Sequence, residues 1–269
     1  MKNENLTFLN LLKFYHSEYR LVYKANPGNA GDGVIAAATY DFFEQSSMNY
    51  EQFRFGKFYS STKDVLIFGG GGNLIEGLYA EGRDFLRDNI RNFSKIIIMP
   101  STIKGYDEFF IENKDSLIIC AREEITYNYL LGLGYVKDKN LILAHDMAFY
   151  LDTLKYTSDI SAFKGEVKCF RTDDESYDKA WKENNHDISL TWNGDYWDNI
   201  HLARSSTKCL VSFLQEYSII NTDRLHIAIL GSLLQKEVNF YPNSYYKNQA
   251  VYNHSVINNY PKTYFISSL

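Results

Sequence analysis

The stretch Asp64-Val65-Leu66-Ile67-Phe68-Gly69-Gly70-Gly71-Gly72-Asn73 decides the fold class. It begins with a nearly continuous apolar run of strand length, and four glycines follow directly. A strand without alternating polar residues is typical of a parallel sheet that helices cover on both faces. Four successive glycines lose more backbone entropy on folding than the one or two glycines that an ordinary turn requires. They therefore indicate that a ligand or a facing lobe approaches the backbone closely.

Similar apolar runs alternate with helical patterns on either side of this stretch. The first half predicts strands at residues 20–24, 64–68, 95–99, 116–120 and 141–144, with helices at 33–44 and 122–131 among the connections. The second half predicts strands at residues 166–170, 187–190, 208–211, 218–221 and 237–241, and a helix at 227–234. This alternation predicts an α/β fold with parallel sheets, and the polar stretch 153–164 divides it into two Rossmann-like lobes, 1–153 and 154–269.

The composition excludes several classes of protein. The chain has 269 residues, of which 45% are hydrophobic, and a formal net charge of -5, so neither a disordered chain nor a general nucleic-acid binder is indicated. Cys120, Cys169 and Cys209 have neither zinc-site nor disulfide spacing, which favours a reducing cytoplasm. No signal peptide or membrane span is indicated, and residues 5–19 predict an amphipathic helix that packs on the body of the protein rather than on a membrane.

Segments after the strands are the candidates for binding, because ligands of such folds bind at the carboxyl ends of the strands. Residues 26–33, Asn-Pro-Gly-Asn-Ala-Gly-Asp-Gly, lead into an apolar helix whose first N–H groups suit an anion. The spacing matches neither a dinucleotide fingerprint nor a P-loop, and it leaves a plain turn and a ligand-binding loop equally open. Arg122, after another strand, is interpreted either as a cleft residue or as a surface arginine paired with a glutamate.

The second half contains Thr222-Asp223-Arg224-Leu225-His226 before an apolar helix. Thr222 or Asp223 is the expected N-cap, Arg224 offers a planar cationic fork, and His226 can exchange a proton near neutral pH. A helix cap with a partly buried histidine is the equally open structural interpretation. The acidic run at residues 173–175 is interpreted as a solvated helix start, and the histidines show no metal-ligand spacing.

These segments, in their order along the chain, resemble the polysaccharide pyruvyl transferase family. The segments that carry the resemblance are residues 28–32, 69–73, 99–102, 121–123, 146–149 and 222–226, and residues 243–248 resemble its exopolysaccharide ketal-pyruvyltransferase branch. Two positions depart from the family pattern. Ser101 stands where a Gln often follows the proline, and His145 stands where a Pro often precedes the aspartate.

The resemblance implies a GT-B-like fold, with two Rossmann-like lobes facing across a cleft, and a pyruvyl transfer reaction. The pyruvyl group of phosphoenolpyruvate would pass to two hydroxyls of one sugar of a cell-surface polysaccharide, such as a capsule or exopolysaccharide, or of its precursor, and phosphate would leave. It implies His226 as the general acid, with Arg224 and Arg122 as the other catalytic groups. Phosphoenolpyruvate would bind Arg224, Leu225, His226 and Lys247 on the C-terminal lobe and Arg122 on the N-terminal lobe. The acceptor would bind on the N-terminal lobe, at Asn29, Asp32, Gly71 and Asn73.

Neither a metal nor a cofactor is expected, since phosphoenolpyruvate is itself the donor substrate. A cytoplasmic location is expected, and a lipid-linked acceptor would bring the chain to the inner face of the cytoplasmic membrane as a peripheral protein. The motifs identify neither the acceptor sugar nor the oligomeric state. Two alternatives stay open: a GT-B-type glycosyltransferase of capsule or exopolysaccharide synthesis that uses a nucleotide sugar, and a non-catalytic polysaccharide-binding protein.

Overall fold

A computed structural model describes residues 2–159, 164–176 and 183–267. The helices are α1 (Lys2–Glu18), α2 (Ala30–Gln45), α3 (Glu81–Asn89), α4 (Asp107–Asn113), α5 (Glu124–Gly132), α6 (Ile200–Gln215), α7 (Leu225–Leu233) and α8 (Lys247–Val251). The strands are β1 (Arg20–Lys24), β2 (Gly28–Asn29), β3 (Glu51–Gln52), β4 (Asp64–Phe68), β5 (Gly71–Ile75), β6 (Lys95–Lys104), β7 (Leu117–Ala121), β8 (Leu141–Leu143), β9 (Lys164–Lys168), β10 (Asn193–Gly194), β11 (Tyr217–Thr222), β12 (Glu237–Phe240) and β13 (Thr263–Phe265).

The chain forms two compact units that interleave in sequence. The first unit contains Met1–Asn26 and Phe42–Met147, and the second contains Pro27–Asp41 and Ala148–Leu269. The glycine-rich segment after β1 therefore belongs to the second unit, whereas a single cut after residue 153 would place it in the first. The polar stretch 153–164 lies partly outside the described residues, and the roles expected for the two lobes stay predictions.

The first unit is built on a parallel sheet with the strand order β3-β1-β4-β6-β7-β8, and β5 pairs with β6. Every residue of β4 and of β7 is buried, as their uninterrupted apolar runs predict. Strand β6 continues through Pro100 to Lys104, five residues beyond its predicted end, and its extension pairs with the unpredicted β5. Phe8 and Leu12 of α1 are fully buried, so the N-terminal helix packs on the body of the protein as expected.

The glycine cluster after β4 is explained in part by its own sheet. A Cβ atom on Gly69 would lie 2.6 Å from the backbone nitrogen of Asn26, and one on Gly70 would lie 2.5 Å from the carbonyl oxygen of Pro100. The Asn26 side-chain amide donates hydrogen bonds to the carbonyl oxygens of both glycines. The backbone that approaches Gly69 and Gly70 is therefore that of the neighbouring strands, and the first unit requires small residues there without any ligand.

The second unit contains a parallel sheet with the order β13-β12-β11-β9 and a short antiparallel pair of β2 with β10. Two predicted strands are wrong. Residues 187–190 fall mainly in a 3-10 helix, Ile188–Thr191, and residues 208–211 lie inside α6. The apolar run at 208–211 is too short to distinguish strand from helix, while the buried face of α6 shows the helical spacing of Ala203, Thr207, Leu210 and Leu214.

These two sheets and their covering helices confirm the predicted α/β class with Rossmann-like units, which is the class of GT-B-like chains. None of the described helices combines the length and the apolar character that a membrane crossing requires. Within the same described ranges, histidine, cysteine, aspartate and glutamate side chains form no group of three or more that could hold a metal ion. The expectation that the chain works without a metal or cofactor stays a prediction.

Candidate active site

The junction between β11 and α7 carries the segment Asp223-Arg224-Leu225-His226. Arg224 is the N-cap residue and has an extended backbone, with φ -81° and ψ 113°. The hydroxyl of Thr222 accepts the Arg224 N–H at 2.9 Å and donates to the carbonyl oxygen of Cys169. The predicted N-cap at Thr222 or Asp223 is therefore wrong by one or two residues. On a regular helix, side chains two residues apart point to different sides, so Arg224 and His226 could contact one ligand only across an irregular junction. The extended backbone at Arg224 is such a junction.

The guanidinium of Arg224 is almost completely enclosed by acidic partners. Its side chain is 4% exposed, and it donates to Asp187 through Nε at 2.8 Å and through Nη2 at 2.6 Å. Nη2 also lies 2.9 Å from an Asp173 oxygen. Nη1 is buried and has no hydrogen-bond partner among the residues that the structure describes. Arg224 is thus a neutralised cation with one donor edge that a ligand oxygen can use.

A second group of buried charges lies beside this arginine. Arg171 donates to Asp173 at 2.8 and 3.0 Å and approaches Glu175 at 3.2 Å, and Glu175 also pairs with Lys247 at 2.6 Å. Burial raises the pKa of Asp173, but the hydrogen bond from Arg171 and the charges of Arg171 and Arg224 hold it below its usual value. The prediction of a solvated helix start at residues 173–175 is therefore wrong for Asp173 and Glu175, which neutralise buried cations, whereas Asp174 between them is exposed.

Asp223 is a buried carboxyl group whose two oxygens differ. Its Oδ1 accepts the Arg171 backbone N–H at 2.7 Å, whereas its Oδ2 finds no hydrogen-bond partner in the described part of the chain. Burial raises the pKa of Asp223 to about 6, against the lowering effect of that hydrogen bond and of the Arg171 and Arg224 charges. Its backbone carbonyl accepts a hydrogen bond from the Asn248 amide, which attaches the segment to α8.

The glycine-rich segment lies directly against His226. A Cβ atom on Gly31 would lie 2.5 Å from His226 Nδ1 and 2.9 Å from Asn29 Oδ1, so any larger residue would displace these two side chains. The Asn29 side chain accepts the Gly31 N–H at 2.8 Å, and the carboxylate of Asp32 lies against Gly28, whose φ is +145°. The segment therefore packs directly beside the imidazole, and its role as a plain turn or as a ligand-binding loop stays a prediction.

Arg122 occupies a different environment in the first unit. Its side chain is 1% exposed and donates to Thr102 Oγ1 at 2.9 Å and to Asp146 Oδ2 at 2.7 Å. The neighbouring Glu123 caps α5 by accepting the Thr126 N–H at 2.9 Å. The alternative of a surface arginine paired with a glutamate is therefore wrong, because the partner is an aspartate and both groups are buried.

The comparisons with known proteins decide the family. The sequence profile described as "Polysaccharide pyruvyl transferase" matches residues 29–245. The chain belongs to the polysaccharide pyruvyl transferase family. It is 26% identical to the Bacillus subtilis (strain 168) protein named "Putative pyruvyl transferase EpsO", over 95% of this chain and 91% of that protein. It is 61% identical to the uncharacterised protein KP1_0663 of Klebsiella pneumoniae subsp. pneumoniae NTUH-K2044, whose crystal structure matches over the full length of both chains with a TM-score of 0.95.

These matches confirm the family resemblance that the sequence motifs indicate. They identify the chain as a transferase that moves a pyruvyl group onto a polysaccharide. The predicted site residues divide between the two units of this pyruvyl transferase. Asn29, Asp32, Arg224, Leu225, His226 and Lys247 lie in the second unit, and Gly71, Asn73 and Arg122 lie in the first. Their individual roles stay predictions.

Sequence reasoning missed Arg171, Asp187 and the role of Asp173 and Glu175. Arg171 follows β9 at the carboxyl end of its strand, so the positional rule used for the other segments could have found it. Asp187 gave no comparable signal, because the pairing with Arg224 joins positions that are far apart in the sequence.

Proposed function

We propose that the chain is a ketal-pyruvyltransferase that takes its pyruvyl group from phosphoenolpyruvate. The group passes to two hydroxyls of one sugar of a cell-surface polysaccharide or its precursor, and inorganic phosphate leaves. The observation that carries the proposal is the placement of His226 beside Gly31 and Asn29, two residues after the buried arginine with an available donor edge. Two short segments of the second unit thus supply a proton donor, a cation and groups that can bind hydroxyls.

The donor contributes a carboxylate and a phosphate, and Arg224 is the group proposed to bind one of them. Its Nη1 group can donate directly to a ligand oxygen, and a bidentate contact through Nε and Nη2 requires the ligand to replace Asp187. The N–H groups of Leu225 and His226 lie in the first turn of α7, where no partner within the helix exists and the dipole favours an anion. Lys247 adds a second positive charge, which its ion pair with Glu175 holds in place.

Arg122 is proposed as a further cation for the donor. Because Thr102 and Asp146 hold its Nε and Nη1, Nη2 is the nitrogen that remains for a ligand within the described contacts. The same buried pair fixes the end of β7 in the first unit, so Arg122 also has a structural role that any variant would disturb.

His226 is proposed as the general acid. It donates its proton to the methylene carbon of phosphoenolpyruvate, which leaves an electron-poor centre at the carbon that carries the phosphate. One sugar hydroxyl adds to that centre and loses its proton, the phosphate leaves, and the second hydroxyl closes the ketal. Proton transfer from a positioned side chain contributes about 10²–10⁴ in rate.

Asn29 and Asp32 are proposed to bind and orient the acceptor hydroxyls, since they lie in the segment that adjoins His226. Gly71 and Asn73, at the start of β5, are proposed to contact the acceptor from the first unit. The donor substrate brings the chemistry of its own enol phosphate, so the proposal includes no cofactor. A lipid-linked acceptor would place this reaction at the inner face of the cytoplasmic membrane.

The experiment that tests the proposal is a phosphate-release assay with phosphoenolpyruvate and extracted cell-envelope saccharides, including lipid-linked intermediates. The expected result is phosphate release together with a product whose mass has increased by one pyruvic acid less one water. Release should depend on His226 and on Arg224. Consumption of a nucleotide sugar without any use of phosphoenolpyruvate would replace the proposal with the glycosyltransferase alternative.

A further inference from the structure

A surface cavity of about 630 Å³ lies in the first unit, and its lining contains none of the candidate active-site residues. Glu76, directly after β5, and Tyr106, two residues after β6, contribute to its wall. Arg83 of α3 and Phe109 of α4 line it as well. The cavity therefore lies at the carboxyl ends of two parallel strands, where α/β folds bind their ligands. Its volume falls within the range of about 300–1,000 Å³ that is typical of small-molecule sites.

Tyr106 is held in this cavity in a strained conformation. Its φ is +61°, in the left-handed region that bulky residues rarely adopt. The Tyr106 N–H donates to Glu76 Oε2 at 3.1 Å, and its hydroxyl donates to the Tyr79 carbonyl oxygen at 2.7 Å. The Arg83 guanidinium lies 4.7 Å from the ring centroid. The backbone N–H and the hydroxyl of Tyr106 are thus both held by hydrogen bonds, and the strained residue presents its aromatic ring to the cavity.

The charges around the cavity indicate which class of ligand fits. Four carboxylates line it, at Glu76, Asp107, Glu108 and Glu112, against the two cations Arg83 and Arg87. An excess of acidic groups repels phosphoenolpyruvate, nucleotides and other anions. A cationic ligand is also disfavoured at the aromatic ring, because Arg83 already occupies a face of Tyr106.

The remaining chemistry is that of an uncharged polyhydroxylated ligand. Carboxylates accept hydrogen bonds from hydroxyls, while the arginine forks and the Asn113 amide donate to hydroxyl oxygens. Tyr106 and Phe109 offer rigid aromatic surfaces to the apolar C–H face of a sugar ring. Acceptors, donors and aromatic surface are therefore present in one concave site.

We propose that this cavity binds an uncharged saccharide, as a subsite for a sugar unit of the acceptor. The role as an acceptor subsite rests on the proposed function, whereas saccharide binding itself does not. Tyr106 is the residue that fixes the site, and Arg83 supports it by packing on the ring and by donating hydrogen bonds to the ligand.

The test measures binding to the full chain by saturation-transfer NMR and calorimetry, without phosphoenolpyruvate. The probes are the uncharged trisaccharides maltotriose, cellotriose and mannotriose, the acidic trigalacturonic acid, and the cationic glucosamine trimer. At least one uncharged probe should bind, and trigalacturonic acid should not. Binding of the acidic probe alone or the cationic probe alone, or of no probe at millimolar concentration, overturns the proposal.

Variants of the cavity separate a specific site from incidental binding. Tyr106→Gly removes the ring at a position where glycine carries no backbone strain. It should lower the affinity for the trisaccharide by about tenfold or more. Arg83→Met keeps the packing stem and should also weaken binding. Phe58→Ala, at a 97% exposed aromatic residue of the same unit outside the cavity lining, is the control and should bind as the unaltered chain does. Equal affinities in Tyr106→Gly and Phe58→Ala overturn the proposal.

The same variants distinguish this proposal from the proposed function. If Tyr106→Gly loses saccharide binding while no acceptor supports phosphate release in the unaltered chain, the cavity is a saccharide site and the ketal reaction is wrong. If phosphate release proceeds and Tyr106→Gly leaves both the acceptor KM and saccharide binding unchanged, the reaction stands and the cavity is not a subsite.

Discussion

Asp187 holds the guanidinium of Arg224 in a bidentate pair, with an Nε–Oδ1 distance of 2.8 Å and an Nη2–Oδ2 distance of 2.6 Å. Both side chains are nearly buried, at 4% and 7% exposure. A substrate carboxylate would use the same two nitrogens in the same plane. Asp187 therefore competes with any anion that binds Arg224 in this way.

We expect Asp187→Asn to bind phosphoenolpyruvate more tightly and to be less stable. Loss of the carboxylate leaves Arg224 with Asp173 alone, and removing one partner of a buried pair costs about 3–5 kcal/mol. Thermal unfolding with and without phosphoenolpyruvate should show a lower Tm but a larger ligand-induced rise. Asp174→Asn, at the neighbouring exposed acidic position, is the control and should change neither value. Weaker donor binding in Asp187→Asn would instead make Asp187 a residue that orients Arg224 for its ligand.

Gly31→Ala should lower turnover with little loss of stability. Gly31 lies within α2, where alanine is favoured over glycine by about 0.5–1 kcal/mol, but the added methyl group would lie 2.5 Å from His226 Nδ1. The imidazole must move, and a misplacement of about 1 Å costs up to about 10²-fold in rate. Gly132→Ala in α5 is the matched control, because its methyl group would meet no atom within 4 Å. The measurements are kcat and Tm for both variants.

His226→Ala should lower turnover by about 10²–10⁴ in a folded protein, since it removes the proposed proton donor altogether. Normal activity in His226→Ala would remove His226 as the general acid. Normal activity in Gly31→Ala would show that the position of the imidazole does not limit the reaction.

Lys247 has either a structural or a ligand-binding role, and a double-mutant cycle with Glu175 distinguishes the two. Its ammonium group lies 2.6 Å from Glu175 Oε2, and both side chains are buried. Lys247→Met should lower the free energy of unfolding by about 3 kcal/mol, at the low end for a buried pair, because Arg171 still neutralises Glu175. Lys247→Met combined with Glu175→Gln should cost less than the two single changes together. Unchanged stability with a raised KM for phosphoenolpyruvate would make Lys247 a donor-binding group instead.

The cysteines should differ sharply in reactivity. Cys209 is exposed on α6, whereas Cys120 and Cys169 are buried. Burial raises the pKa of the Cys120 thiol, and it raises the pKa of Cys169 to about 12, so neither forms thiolate at pH 8. Titration with a chromogenic disulfide should detect one thiol in the native protein and three in denaturant. Cys209→Ser should abolish the native signal, and rapid reaction of a second thiol would contradict the buried placement.

The parts of the fold that the sequence predicted well are those with strong local patterns. β4 and β11 were located almost to the residue, because continuous apolar runs flanked by polar or glycine residues distinguish buried strands. The apolar run at residues 208–211 does not by itself distinguish a strand from a helix, and only the i+3 and i+4 spacing of the buried residues around it indicates α6. Strand β5 was missed because two of its five residues are glycines, which weaken any strand pattern.

The candidate site was predictable as segments but not as an arrangement. Arg224 and His226 were found because they follow β11 in sequence. The approach of His226 to Gly31 depends on the chain entering the second unit at residue 27 and leaving it at residue 41, which no local pattern reveals. The pairing of Arg224 with Asp187 likewise depends on tertiary structure, since the two residues belong to different elements.

The contribution of Asp223 to the free energy of unfolding should fall as the pH rises from about 4 to about 6. Burial raises its pKa in the folded state to about 6, from an ordinary value of 3.8 for an aspartate in the unfolded chain. Between these values the native state keeps a proton that the unfolded state has released, so νN exceeds νU and the slope of the unfolding free energy with pH is negative. Above about pH 6 both states are ionised, and below about pH 4 both are protonated, so this contribution levels off on each side. Each unit of pKa difference corresponds to about 1.4 kcal/mol.

Asp223→Asn isolates this contribution, because the amide oxygen can still accept the Arg171 N–H while the side chain no longer titrates. Urea unfolding of both proteins at intervals from pH 4.5 to pH 7.5 should show a stability difference that grows in favour of Asp223→Asn as the pH rises, and then stays constant. The pKa of Asp173 is lowered, so its own titration affects stability only at more acidic pH and does not disturb this window. Parallel stability curves for the two proteins would contradict the raised pKa. They would mean that Asp223 has the pKa of an ordinary aspartate and that its Oδ2 is solvated or hydrogen-bonded in solution.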